Sequence, residues 1–89
     1  MITIGDFNFE LIENYRECFD KEEFSELFTE YFYSFDYIVG DYAYNKLRLK
    51  GFYEDSNKKA KEFNKISNKD KYIKENCAYS CRYFVLKKI

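Results

Sequence analysis

Apolar and polar residues alternate at the start of the chain: Ile2 and Ile4, then Gly5-Asp6, then Phe7, Phe9 and Leu11 with Asn8 and Glu10 between them. Period-two alternation around a Gly-Asp pair predicts a β-hairpin. The rhythm changes at Asp20-Lys21-Glu22-Glu23, which has the form of a helix start. Asp20 can cap the free N–H groups, Glu23 occupies the third helical position, and an acidic first turn suits the helix dipole. Phe24, Leu27, Phe28, Tyr31 and Phe32 recur at helical spacing, which predicts one helix from 21 to about 33 with a single apolar face.

Asp36-Tyr37-Ile38-Val39-Gly40 reads as a short buried strand, followed by a loop containing Asp41 and Asn45. Lys46-Leu47-Arg48-Leu49-Lys50 then alternates strictly, which on a strand puts both leucines on one face and the three cations on the other. Gly51 is expected to bend or bulge that strand before Phe52-Tyr53. Residues 54–66 are polar and lysine-rich, as an exposed loop would be. Ser67 and Asp70 form a second capping-box pattern, and Tyr72, Ile73 and Cys77 give the helix after it a narrow apolar stripe. Arg82-Tyr83-Phe84-Val85-Leu86 is a β-prone run with little alternation, as expected of a strand covered on both sides. The order is β-β-α-β-β-α-β, an α+β domain spanning residues 1–89 with two helices packed on a largely antiparallel sheet.

Composition changes this picture in one respect. Lys, Asn, Ile, Phe and Tyr supply 46 of the 89 residues, while Pro, Trp and His are absent. A/T-rich coding would favour that set, so ten Tyr and ten Phe are read first as core filling and only then as a stacking surface. An apolar segment long enough to span a membrane is lacking, and the N-terminus has no basic-then-apolar leader. The expectation is a cytoplasmic domain whose Cys18, Cys77 and Cys81 stay as thiols.

Charge is more informative. Residues 1–44 hold 11 acids and 2 bases, and residues 45–89 hold 13 bases and 5 acids. A net charge of -1 therefore conceals two oppositely charged halves, which points to a polyanionic partner unless the halves interleave and pair on the surface. Lys46, Arg48 and Lys50 would stand about 6.6 Å apart on one strand face, within reach of successive phosphates. Tyr44 and Tyr53 flank them and could stack on bases, and Lys58, Lys59 and Lys61 could extend the patch from a loop. Lysines on a strand face also simply protect sheet edges. The first functional expectation is thus a non-catalytic module binding RNA or a ribonucleoprotein. The alternative is a protein–protein adaptor using Glu22, Glu26 and Glu30 with exposed aromatics such as Tyr33 and Tyr42.

Catalysis is disfavoured. The chain offers no His as general base, no phosphate-binding glycine loop and no nucleophile motif. Asp36 and Asp41 could form a carboxylate pair, but Asp more often caps turns at strand ends. Cys77 and Cys81 with Cys18 fall short of a zinc ligand set, and no cofactor or metal is expected.

At Asp36-Tyr37-Ile38-Val39-Gly40-Asp41, then Leu47-Arg48-Leu49-Lys50-Gly51-Phe52-Tyr53, the chain resembles the YutD-like family of small bacterial proteins. Lys65-Ile66-Ser67 and the closing Cys77-x-x-x-Cys81-x-Tyr83-Phe84-Val85-Leu86 fit the same pattern. Tyr42 stands where the family is expected to carry Trp. The resemblance implies a compact α+β domain in a low-G+C Gram-positive cytoplasm, and brings with it no activity and no catalytic residues. It focuses attention on the segment from Asp36 to Tyr53, where Asp41, Tyr42 and Asn45 join the cations as surface-site candidates.

Overall fold

Among the described residues, five strands and two α-helices follow one another in the expected order. A computed structural model describes residues 1–76 and 82–89. The strands are β1 (Ile2–Ile4), β2 (Phe7–Tyr15), β3 (Tyr37–Ala43), β4 (Lys46–Phe52) and β5 (Tyr83–Lys88), and the helices are α1 (Lys21–Leu27) and α2 (Lys69–Asn76). The five strands form one sheet in the order β1-β2-β5-β3-β4, and every neighbouring pair is antiparallel. Among the described residues, no helix is long and apolar enough to cross a membrane.

The sheet is apolar on both sides, which explains the unbroken character of β5. Phe84 and Leu86 point one way, toward Phe9, Ile38 and the Phe24 and Phe28 rings of α1. Val85 points the other way, toward Val39, Phe52 and the Tyr72 and Ile73 side chains of α2. On the α1 side the core is mostly aromatic: Phe9 meets Phe24 and Phe28 edge-on, with centroids 5.7 and 5.4 Å apart. Such contacts add about 0.5–1.5 kcal/mol per pair beyond burial. Cores on both faces let 89 residues bury enough apolar area to hold one sheet.

Several elements depart from their sequence-based expectations. Helix α1 begins where expected, with Asp20 accepting from the Glu23 N–H at 3.1 Å, but it ends at Leu27 rather than near 33. Its last turn carries no basic residue to meet the dipole. The backbone is extended at Phe28 and Thr29 before a short 3₁₀ turn at Glu30–Phe32. That break lets Phe28 stay in the core while Phe35 reaches the sheet. Strand β2 runs on to Tyr15 through a bulge between Leu11 and Glu13, leaving Ile12 exposed. The bulge turns Glu13 toward α2, where its carboxylate accepts from Lys69 Nζ at 3.1 Å.

Residues 54–66 are held in place, not loose. The Asp36 carboxylate accepts from the Glu54 N–H and from Asn57 Nδ2. Asn64 is buried, and its Oδ1 accepts from the Lys61 N–H. A parallel bridge joins Tyr53 to Lys65. The second capping box is replaced by a 3₁₀ turn at Ile66–Asn68 that runs into α2, with the Ser67 N–H donating to Asp55.

Gly51 neither bends nor bulges β4, since pairing with β3 is continuous from Tyr37↔Phe52 to Ala43↔Lys46. Its role is to seat a ring. A Cβ at Gly51 would lie 2.2 Å from Phe35 Cδ2, and one at Gly40 would lie 2.1 Å from Phe84 Cζ. The Phe84 ring is fully buried and has no free volume to retreat into. Gly40→Ala should therefore destabilise the domain by about 1–3 kcal/mol through overpacking. Urea unfolding checks this, and a variant as stable as the parent would show that the ring does not rest on the glycine.

Candidate functional site

Strand β4 is one edge of the sheet. Leu47 and Leu49 pack toward the α1 core, whereas Phe52 joins the α2 core, so Lys46, Arg48 and Lys50 share the α2 side. The alternation places the three cations on one face as expected, but they do not form a row of free charges. Arg48 is engaged. Its Nε donates to Asp41 Oδ1 at 3.2 Å, and its Nη2 donates to Asp41 Oδ2 at 2.8 Å. The same Nη2 donates to the Asn76 carbonyl at 2.9 Å, at the C-terminal end of α2 where a cation suits the dipole. Hydrogen bonding to Asp41 raises the Arg48 pKa further above its already high value.

Asp41 explains this arrangement. The loop expected there is instead the end of β3, and the chain reverses at Tyr44-Asn45, both with positive φ. Two such residues make a type I′ turn, which Asn-Gly or Asp-Gly usually supplies. Extending β3 carries Asp41 into the sheet beside β5, where it is 1% exposed. A buried carboxylate requires a partner, and Arg48, directly opposite in the β3–β4 register, provides one. Asp41 is thus a buried structural group and not a surface-site residue. Asp36 lies five residues away, about 16 Å along a strand, and serves the 54–66 segment. The two aspartates do not converge as a pair.

The remaining candidates separate. Tyr53 is 8% exposed and packs on Phe35 at 4.8 Å, so it cannot stack on a base; its ring is core. Tyr44 is fully exposed at the turn tip, beside Asn45 and Lys46. Lys58 and Lys59 are exposed on the turn that Asn57 ties to Asp36. Asp36 abuts the Phe52 end of β4 through its N–H to the Phe52 carbonyl, so these lysines extend that end and not the Lys46 end. Tyr42 is half-buried on the α1 side. Its hydroxyl donates to Glu23, and the Arg82 guanidinium lies 4.2 Å above its ring. Burial, then the bond to Glu23, pushes its pKa well above the ordinary tyrosine value.

Lys50 is the informative cation. Its ammonium lies 5.3 Å from the Phe63 ring and 5.9 Å from the Phe52 ring. It borders an open groove of about 450 Å³ whose other walls are Glu62, Phe63, Asn68, Lys71, Tyr72 and Glu75. Phe63 is 65% exposed. Sequence reasoning passed over this groove, although a lone Phe in the polar run 54–66 was the available signal. Cys18 is a half-buried thiol whose pKa is raised by burial; Cys77 and Cys81 lie outside the described residues.

The charged halves settle into layers. Glu22, Glu26 and Glu30 are exposed on the α1 side, and among the described residues none has a base within 4.0 Å. Two acids of the first half cross to the other side, Asp41 to Arg48 and Glu13 to Lys69. The lysines of the α2 side are interspersed with Glu62, Asp70 and Glu75, and two of them, Lys65 and Lys69, pair with those neighbours. The basic side is therefore mixed.

A family model described as "YutD-like: Putative antitoxin YutD-like" matches residues 3–87. A Bacillus subtilis (strain 168) protein described as "Putative antitoxin YutD" is 47% identical over 89 residues, covering 100% of this chain and 98% of that relative. The solution NMR structure of protein yutD from B. subtilis matches with a TM-score of 0.83 at 47% identity, covering 100% of this chain and 81% of that one.

The Tyr42–Glu23 contact has a measurable consequence. A phenol whose folded pKa is raised contributes stability that is complete below the ordinary value of about 10 and is lost as pH rises through the folded value. In an ultraviolet tyrosinate titration, Tyr42→Phe should remove part of the late-ionising fraction and reduce the loss of stability above about pH 10. An unchanged titration would show that this hydroxyl is not held by Glu23.

Proposed function

The chain belongs to the YutD-like family, and from that premise we propose that it is an antitoxin-type module, a non-catalytic cytoplasmic domain that acts by holding a protein partner. The description of its B. subtilis relative as "Putative antitoxin YutD" supports this reading, because an antitoxin can work by occupying the surface its partner needs. The observation that carries it is the groove beside β4. An exposed phenylalanine, a tyrosine and a lysine poised over aromatic rings form the kind of apolar, aromatic patch with a polar rim that anchors protein interfaces. Among the described residues, the buried Asp41 and Asn64 side chains already serve internal bonds.

RNA is the weaker reading. Binding along phosphates needs uncompensated cations, and on β4 Arg48 is neutralised while Lys50 shares its groove with Glu62 and Glu75. A tagged chain recovered from cells after nuclease treatment should retain one protein in stoichiometric amount. Production of that protein alone should arrest growth. Co-production of the parent chain should relieve the arrest, whereas Phe63→Ala, a change at an exposed position, should not. Recovery of RNA alone, or full rescue by the Phe63 variant, would contradict the proposal.

A further inference from the structure

We infer that the partner is bound as a sixth strand: an extended segment of alternating acidic and apolar residues, paired along the outer edge of β4. This rests on the protein-binding reading above and specifies its geometry. The inner edge of β4 is paired with β3 throughout, while among the described residues no strand lies along its outer edge. Seven residues of strand leave about 23 Å of backbone edge open. The opposite edge, β1, offers three residues and much less backbone to pair.

Just past the end of β4 the chain itself pairs with this edge at one residue. Immediately beyond β4, the Tyr53 N–H donates to the Asn64 carbonyl and the Ile66 N–H donates to the Tyr53 carbonyl, both at 2.8 Å. That pairing is a single parallel bridge, just outside the five strands. The segment then departs through the 3₁₀ turn Glu62–Asn64, which leaves Phe63 projecting and the groove under Lys50 open. An added strand continues the pairing that residues 64–66 start.

The side chains of β4 specify the occupant. On the α2 side it would meet Lys46 and Lys50 with the neutralised Arg48 between them, and on the α1 side Leu47 and Leu49. Cross-strand pairs favour opposite charge and disfavour like charge. A strand with carboxylates opposite Lys46 and Lys50, and apolar residues facing the leucine side, therefore matches both faces. The same lysines reject other candidates. A second copy pairing through β4 would bring lysine against lysine, and a neutral or basic strand gains nothing from the two ammonium groups beside it. The outcome is strand addition with charge as the filter.

A synthetic seven-residue peptide of alternating Glu and Val, blocked at both ends, is the probe. Fluorescence anisotropy measures its affinity for the full chain, and amide hydrogen exchange locates it. It should bind, slow exchange within Lys46–Phe52, and lose at least about tenfold in affinity to the Lys46→Glu, Lys50→Glu double variant. The corresponding Lys/Val peptide should show the reverse preference. Failure of the Glu/Val peptide to bind, or protection confined to other elements, overturns the inference. So does a single-stranded oligoribonucleotide that binds more tightly and shows the same sensitivity to charge reversal. If the cellular partner protects a different surface, the strand inference falls while the antitoxin reading stands. If the peptide protects β4 but no cellular protein is retained, the edge geometry holds and the antitoxin reading falls.

Discussion

One ion pair organises the functional half of this molecule. Asp41 is the buried carboxylate of the sheet, and the Arg48 fork closes on it from the neighbouring strand while also reaching the last carbonyl of α2. The contact joins three elements: β3, β4 and the C-terminal end of the helix lying across them. It also sets the surface chemistry, because it removes the central charge from the row of cations on β4. The guanidinium is 43% exposed along its side chain and the carboxylate 1%, so the cost of losing the contact falls chiefly on the buried acid.

Around that pair, the fold solves a problem posed by composition. Twenty aromatic residues are too many for a single small core, and the sheet distributes them over two faces. Phenylalanines dominate under α1, and tyrosines with polar tips are found under α2 and at the margins. Gly40 and Gly51 make room for two of the rings by removing a Cβ. The sheet also separates charge, with Glu22, Glu26 and Glu30 exposed over α1 and mixed lysines and glutamates around α2. The two halves of the sequence neither fully neutralise each other nor form one uninterrupted basic patch.

Local pattern was enough to identify the strands and helices and to place the cations together on one side of β4, because alternation and helical spacing are short-range signals. What it missed depended on partners far along the chain. Tyr44-Asn45 lacks the glycine that marks a two-residue hairpin, so the local pattern ends β3 too early and leaves Asp41 in a loop. Gly51 has the local signature of a backbone break because nothing nearby in sequence reveals that Phe35 rests on it. Tyr53 has the local signature of a stacking residue, and that same ring covers it. Helix α1 falls nearly two turns short of its expected length because of the tertiary packing of Phe28 and Phe35, with no Pro or Gly to announce the stop.

The account therefore depends on Arg48 being a structural residue, leaving recognition to the groove and the open edge. A double-mutant cycle with Asp41→Asn and Arg48→Met, measured by urea unfolding, tests this most directly. Coupling of about 1.5–3 kcal/mol is predicted, the range for hydrogen bonds to charged groups. An Arg48→Met variant as stable as the parent, with coupling near zero, would return Arg48 to the surface and contradict the account.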